Sequence, residues 1–369
     1  MTTLRGTTAI VGIGQTEFSK SSGRSELQLT AEATLAALDD AGLSTDDVDG
    51  MVTFTIDPTE DNDLMRTLGV PALGYSGRVP HGGGAAAGTI LHAASAIASG
   101  AAEVVVCYRA LNARSGRRFG RARATTEEPV RGTGWNHTNW MLPFGIMSPM
   151  ATLSLNLLPY MQANGLTNRD FGEYSVVIRD YASRNPDAWF YEKPITIEDH
   201  QSSRWIVEPV LRLLDCCQES DGGVAVVVTS ADRARDCKHG GATVMGAAQA
   251  IGDRNMADSL YAAAGMGPDD VQAAMIYDAM SPQVFMALER QGFVKPGEAK
   301  DFIASGEIRI DGRLPVNTNG GLMGEAYIHG MNLITEAVRQ LRGTAVNQID
   351  GVETVMVSSG ICGHILQKG

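Results

Sequence analysis

A chain of 369 residues is long enough for two core-forming units, at about 100–200 residues per domain. Apolar residues make up 44% and charged residues 20%, ordinary proportions for a soluble globular protein. The formal charge of −12 argues against nucleic acid or an anionic membrane as the main partner, because polyanions repel it.

Five cysteines (Cys107, Cys216, Cys217, Cys237 and Cys362) show no CxxC spacing, and the odd number suits a reducing compartment better than a disulfide framework. The seven histidines show no HxxxH or HxH pairing, so no metal site is predicted. The start, MTTLRGTTAIVGIG, lacks the apolar run and cleavage site of a signal peptide. The most apolar stretch, 84–107, contains His92 and Glu103 and falls short of a membrane span. A cytoplasmic location is expected.

In chain order, strands are predicted at TAIVGIG (8–14), MVTF (51–54), EVVVCY (103–108), VAVVVTS (224–230), TVMGAA (243–248), AAMIYDAM (273–280) and TVMVSSG (354–360). Helical segments lie between them, which predicts an α/β architecture with sheets covered on both faces. The loop RVPHGGGAAAG (78–88) opens an alanine-rich helix. Loops with bare amides at a helix start often serve a reactive side chain, yet Gly82, Gly83 and Gly84 supply none.

An internal repeat is visible. AALDDAGLSTDDVDGMV (36–52) and YAAAGMGPDDVQAAM (261–275) share Ala-Gly, an apolar residue, two spacers, Asp-Asp-Val and a strand. A helix ends at the glycine, a short turn follows, and a strand begins. Asn319-Gly320-Gly321-Leu322-Met323-Gly324 is the counterpart of the first glycine loop, ahead of a helix at 331–342. Two copies of one unit are predicted, 1–235 and 236–369, joined near 232–242.

Residues 109–205 break the rhythm. They hold RSGRRFGRAR and all four tryptophans, Trp135, Trp140, Trp189 and Trp205. Such an excursion suits a substrate cover or a subunit contact. Its tryptophans either line an apolar substrate site or pack internally. Arg114, Arg117, Arg118, Arg121 and Arg123 form a basic cluster in an acidic protein. Such a cluster meets phosphates, serves an interface, or is a solvated loop.

Read together, these segments resemble the thiolase superfamily, closest to its sterol-carrier and lipid-transfer branch. ASAIASGAAEVVVC resembles the helix and strand after the thiolase nucleophile loop. CCQESDGGVAVVVTSADRA (216–234) resembles the close of the first half. IYDAMSP (276–282) stands where thiolases carry Asn-Glu-Ala-Phe or His-Asp-Cys-Phe, and NTNGGLMGEAYIHG (317–330) where they carry Asn-x-x-Gly-Gly and Gly-His-Pro-x-Gly. SSGICGH (358–364) resembles the final Cys-x-Gly stretch. The implied fold is five-layered αβαβα, two similar halves with an inserted loop region. The resemblance also implies a homodimer through the first half.

The departures carry the chemistry. Counting back from Gly100, the acyl-accepting cysteine falls at Gly83, and the nearest cysteine is Cys107. Tyr327 stands at the thiol-activating histidine and Tyr277 at the Asn or His of the other motif. Glycine forms no acyl-enzyme, so thiolysis through this position is excluded. The combination resembles the steroid side-chain aldolases of the superfamily, which cleave β-hydroxyacyl-CoA by retro-aldol reaction with two tyrosines. That resemblance implies a small zinc-ribbon/OB-fold partner protein, and no cofactor beyond the CoA of the substrate.

A β-hydroxyacyl thioester already carries oxygen on the carbon to be released. It needs a base, an acid for the enolate carbon and an oxyanion site, but no nucleophile. The amides of Gly82–Gly84 suit the oxyanion, and Asn317 or His329 are alternative donors. His329 and His364 are candidate relays or satisfied structural histidines. Asp278 is expected to point away from Tyr277 by strand alternation. Arg114, Arg117 and Arg118 are candidates for the CoA phosphates. The competing readings are an acyltransferase using a cysteine such as Cys362, and a non-catalytic acyl-CoA-binding subunit.

Overall fold

The structure, a computed structural model, describes residues 4–80, 82–116, 118, 141–146, 148–252 and 255–369. The first unit runs β1 (Thr8–Gln15), α1 (Glu26–Ala41), β2 (Gly50–Phe54), α2 (Asp61–Leu68), β3 (Tyr75–Val79), α3 (Ala86–Ala98) and β4 (Val104–Asn112). The excursion carries α4 (Pro149–Ala163), α5 (Asn168–Arg184), α6 (Ile197–Ser202) and the hairpin β5 (Trp205–Val207) with β6 (Leu211–Arg212). Then come β7 (Asp221–Ser230), α7 (Ala231–Ala234), β8 (Ala242–Gln249), α8 (Met256–Ala264), β9 (Ala273–Ile276), α9 (Ser281–Arg290) and α10 (Ala299–Ala304). The chain closes with α11 (Gly321–Gly324), α12 (Met331–Arg342), β10 (Thr354–Ser358) and β11 (Cys362–Lys368).

One nine-stranded sheet has the order β3-β2-β4-β7-β1-β8-β11-β10-β9. Its centre is a short antiparallel contact of β1 with β8, Ala9 opposite Thr243 and Ile10 opposite Ala242. Outward from that seam the pairing repeats. β1–β7 and β8–β11 are antiparallel, β7–β4 and β11–β10 are antiparallel, and β4–β2 and β10–β9 are parallel. Only the first half adds a further edge strand, β3, parallel to β2. The sequence reading did not predict β3, whose glycine and charge interrupt any apolar run, or β11.

Strand alternation builds three apolar layers. Ile10, Val105, Cys107, Val226, Val355 and Leu366 face a central core that also buries α3 and α12. Ala9, Val11, Val104, Val106 and Val227 face an outer core with α1. Met356, Ile365 and Ala274 face the other outer core with α8, α9 and α5. The two halves of the sheet, joined at the β1–β8 seam, both pack on α3 and α12, so the order of layers is helix, sheet half, helix, sheet half, helix.

The repeat has the predicted local structure. Ser25 Oγ accepts from Gln28 N at 3.1 Å to start α1, and Gly42 ends it at φ +73°. Asn255 Oδ1 accepts from Ala257 N at 3.2 Å to start α8, and Gly265 ends it at φ +63°. The left-handed φ is why both caps are glycine. Each is followed by a single 3-10 turn, Thr45–Asp47 or Pro268–Asp270, and a strand.

The described part of the excursion is largely helical. Helix α5 buries Phe171, Tyr174, Ile178 and Tyr181 against the second unit. No helix among the described residues is long and apolar enough to cross a membrane.

Candidate active site

Three segments converge at one end of the central layer. The first leaves β9 at Ile276, and Tyr277 N still donates to Ser358 O of β10 at 2.8 Å. Asn317 clamps this exit: its Oδ1 accepts from Ile276 N at 2.7 Å. Its Nδ2 donates to Ile276 O at 2.7 Å and to Tyr174 Oη at 2.8 Å. The next residue, Asp278, faces away from Tyr277, as alternation predicts. It accepts from Tyr174 Oη at 2.8 Å and from Leu322 N at 2.8 Å. Burial pushes its carboxyl up to about 7.

The second segment is the turn between α11 and α12, which carries Tyr327 and His329. Tyr327 N donates to Ser220 Oγ at 3.4 Å, tying the turn to the strand end of the first half. The third is the glycine loop between β3 and α3. Ser359 Oγ donates to Gly84 O at 2.7 Å and pins this loop to the end of β10.

The hydroxyls of Tyr277 and Tyr327 lie 2.8 Å apart. A Cβ on Gly83 would stand 1.8 Å from Tyr277 Oη and 2.6 Å from Tyr327 Oη. The tyrosine pair therefore fills the space that a side chain at position 83 would need. The neighbouring Gly82 has far more room, with Ile56 Cδ1 at 3.3 Å from its would-be Cβ. Among the described residues the amides of Gly83 and Gly84 take no backbone partner, which leaves them able to donate.

Burial pushes both phenols well above the ordinary tyrosine value, so both are neutral at neutral pH. For Tyr327 the nearby Cys217 thiol adds to the rise. The hydrogen bond with Tyr277 and the charge of Arg109 oppose it. For Tyr277 the same bond pushes further up.

His329 adopts φ +51° and is buried. It lies edge-on to Tyr327, centroids 5.0 Å apart, and stacks on Phe54 at 6.0 Å. Desolvation, then the charge of Arg109, drives its pKa well below the ordinary histidine value. Arg109 Nε donates to His329 Nδ1 at 3.2 Å, and Arg109 Nη1 lies 2.7 Å from Asp57 Oδ2. The sequence reading missed Arg109 and Asp57. It ended the strand at 108, whereas β4 continues to Asn112 and places Val105, Cys107 and Arg109 on the central face. The available signal was an arginine two residues beyond an apolar run, in phase with it.

Two cavities border the pair. One of about 360 Å³ is lined by Tyr327, Arg114, Arg118, Arg204 and Cys217. The other, about 480 Å³, is lined by Tyr277, Leu157, Met286 and Ser359. Arg118 Nε donates to Glu219 at 2.6 Å, so part of its charge is already paired. A roomier cavity of about 550 Å³ lies by Asp40, His239 and Arg342, away from the tyrosines. Its Asp40 is paired with Arg342 at 2.7 Å and lies 3.5 Å from His239.

Some expected groups are not brought here. Both amide hydrogens of Asn317 are committed to Tyr174 and Ile276, so it has no donor left for an oxyanion. His364 lies on β11 with Nδ1 3.3 Å from Ala87 O, and burial lowers its pKa to about 4. It makes no contact with either tyrosine. Cys362 is buried beside α3, its thiol pushed up to about 12, which removes the thiolate a transferase would need. Lys20 lies over Trp189 and Arg212 over Trp205, at 5.8 and 3.8 Å, and neither ring lines the cavities beside the tyrosines. Arg117, Arg121, Arg123, Trp135 and Trp140 lie outside the described residues. Among the described residues no group of three or more His, Cys, Asp or Glu is placed to hold a metal ion.

Comparison with known proteins follows this geometry. Residues 236–368 match the family model of the thiolase C-terminal domain-like proteins. The chain superposes on human mitochondrial 3-ketoacyl-CoA thiolase with a TM-score of 0.70 at 16% identity, covering 100% of both chains, which shows the thiolase fold. Within that fold the likeness narrows. The chain is 52% identical to a steroid side-chain-cleaving aldolase of Thermomonospora curvata, over 98% of this chain and 96% of that one. It is 51% identical to a 17-hydroxy-3-oxo-4-pregnene-20-carboxyl-CoA lyase of Mycobacterium tuberculosis, over 97% of each. A solved Ltp2-ChsH2(DUF35) aldolase superposes with a TM-score of 0.93 at 50% identity, over 100% of this chain and 99% of that one. The chain belongs to the thiolase-fold family of steroid side-chain-cleaving aldolases.

Proposed function

We propose that the protein cleaves a bulky, steroid-type β-hydroxyacyl-CoA by a retro-aldol reaction, releasing a carbonyl compound and a short acyl-CoA such as propionyl-CoA or acetyl-CoA. The observation that carries this reading is the pair of tyrosine hydroxyls 2.8 Å apart, standing where a thiolase nucleophile would be. The names of the relatives agree with it. A 17-hydroxyl and a 20-carboxyl thioester describe a hydroxyl on the β carbon, which is the substrate the chemistry requires.

The high pKa values favour a relay over a standing phenolate. The β-hydroxyl passes its proton to Tyr327 Oη as the bond between the α and β carbons breaks. Tyr327 passes its own proton along the 2.8 Å contact to Tyr277, and Tyr277 delivers one to the α carbon. The bonding electrons enter the thioester as an enolate and return to the α carbon on protonation. Each phenol starts and ends neutral, so burial does not oppose the cycle. Tyr327 takes the hydroxyl side because it stands where thiolases carry the histidine nearest the nucleophile. The amides of Gly83 and Gly84, with Gly82 shaping the approach, and His329 stabilise the thioester oxyanion. Arg114 and Arg118 on the Tyr327-side cavity, with Arg117, meet the CoA phosphates.

The reaction uses no cofactor and no metal ion beyond the CoA of the substrate. The name of the related aldolase complex includes a second component, ChsH2(DUF35). We infer a cytoplasmic homodimer that binds a small zinc-ribbon/OB-fold protein of that kind. The test is incubation with a β-hydroxyacyl-CoA and no free CoA, with and without the partner. Carbonyl release is expected, and strict dependence on added CoA would replace the aldolase with a transferase.

A further inference from the structure

We infer that Arg109 is a positioning residue of this site, locking His329 as an uncharged imidazole with its proton on Nε2. The inference rests on the tyrosine site described above. A guanidinium Nε–H is a donor only and stays protonated at every working pH. Arg109 Nε lies 3.2 Å from His329 Nδ1, so that nitrogen must accept, and a neutral ring then carries its hydrogen on Nε2.

Arg109 is itself held. Its side chain is fully buried on β4, and Nη1 is 2.7 Å from Asp57 Oδ2, whose side chain is equally inaccessible. Asp57 in turn is fixed by Thr59 N, which donates to Oδ1 at 2.8 Å. The ring is clamped between Phe54, stacked at 10°, and Tyr327, edge-on at 80°. Burying an arginine and an aspartate in a core is costly, and replacing such a pair by apolar groups is often neutral for stability. Stability alone therefore gives weak reason to keep it.

Among the described residues, the titratable and charged groups around His329 come from several segments. They include Arg109 on β4 and Tyr327 on the same turn as His329, with Asp57 after β2 behind Arg109, and Tyr277, Cys217 and Glu219 on the far side of Tyr327. The nearest cation disfavours imidazolium. His329 is thereby restricted to hydrogen-bond donation beside the tyrosine pair, and it does not act as a base. Without Arg109 the tautomer of the ring is no longer fixed from the Nδ1 side.

The decisive measurement is nitrogen NMR of the folded protein labelled at histidine, with the His329 signal assigned by its loss in His329→Gln. The expected spectrum shows an acceptor-type Nδ1, a protonated Nε2 and no titration between about pH 5.5 and 8, below and above the ordinary histidine pKa of ~6.5. A proton on Nδ1, or titration within that window, would overturn the inference, whatever reaction the protein catalyses. In Arg109→Gln, checked for folding by circular dichroism, Nδ1 loses its fixed donor and the two nitrogen signals should shift toward a mixture of tautomers, with burial still keeping the ring neutral. The kcat should fall about 10- to 100-fold, the scale of a lost preorganised donor or less, while KM stays within about threefold. An unchanged kcat together with unshifted nitrogen signals in a folded Arg109→Gln would equally overturn it.

Discussion

The two halves of the sheet repeat one pairing scheme outward from the β1–β8 seam, yet they contribute opposite things to the site. The first half brings a glycine loop with no reactive side chain and the buried Arg109. The second brings both tyrosines, each from a turn at the end of a regular element. The glycine loop runs directly into α3, whereas its sequence counterpart at 319–324 forms α11 and is separated from α12 by the turn that carries Tyr327. In the first, a Cβ on Gly83 would meet the two tyrosine hydroxyls. The other is closed off: a Cβ on Gly321 would stand 2.2 Å from Asp278 Oδ2. Duplication supplies a scaffold, and chemistry resides where the two copies have diverged.

The strongest way to break this comparison is at the tyrosines. Tyr277→Phe and Tyr327→Phe should each preserve folding and acyl-CoA binding while lowering turnover by ~10²–10⁴, the usual cost of losing positioned acid–base catalysis. Near-parental rates in both variants would sink the assignment of chemistry to the second half.

Position 83 comes next. Gly83→Ala must displace a tyrosine hydroxyl, because its Cβ would lie 1.8 Å from Tyr277 Oη. A misplacement of that order costs ~10²-fold in rate. Gly82→Ala, with 3.3 Å of clearance from Ile56, should cost far less, and equal losses at both positions would contradict the packing described. Gly83→Cys should show no CoA-dependent thiolysis, since Tyr327 stands where the activating histidine would be.

A third test concerns His364. Its folded pKa of about 4 is depressed from the ordinary 6.5. The stabilising contribution of the neutral ring is therefore present above pH ~6.5 and is lost as pH falls through about 4. At ~1.4 kcal/mol per unit, the loss is on the order of 3 kcal/mol. His364→Gln should flatten that acid limb in denaturant titrations at pH 7, 5 and 4. An unchanged slope would show that the ring is not buried neutral.

The smallest effects sharpen the repeat itself. Gly42→Ala and Gly265→Ala force a left-handed residue at equivalent helix ends, φ +73° and +63°. Each should cost ~1–2 kcal/mol. Gly265→Ala should lose slightly more, because its Cβ would come within 2.4 Å of the Arg5 guanidinium. A loss at one cap only would mean that the two helix ends are not equivalent.

Local signals decided much of this protein. The alternation of apolar runs with helical segments, the Ala-Gly and Asp-Asp-Val repeat, and the glycine caps all act within a few residues of themselves. Their elements are therefore legible in one dimension, down to the helix at 331–342. Tyr277 and Tyr327 were also legible, because each replaces a residue type that a known motif requires. What the tertiary structure alone decided depends on groups far apart in the chain. Asn317 reads as an open donor until Tyr174, 143 residues earlier, takes one of its hydrogens. His364 reads as a relay until the fold sets it against α3. Arg109 and His329, 220 residues apart, meet because β4 runs one turn of alternation further than its apolar pattern and points the guanidinium inward. Sequence patterns report burial and backbone conformation, which are local. Which polar atom finds which partner is set by packing between layers, and it is there that the chemistry of the site is fixed.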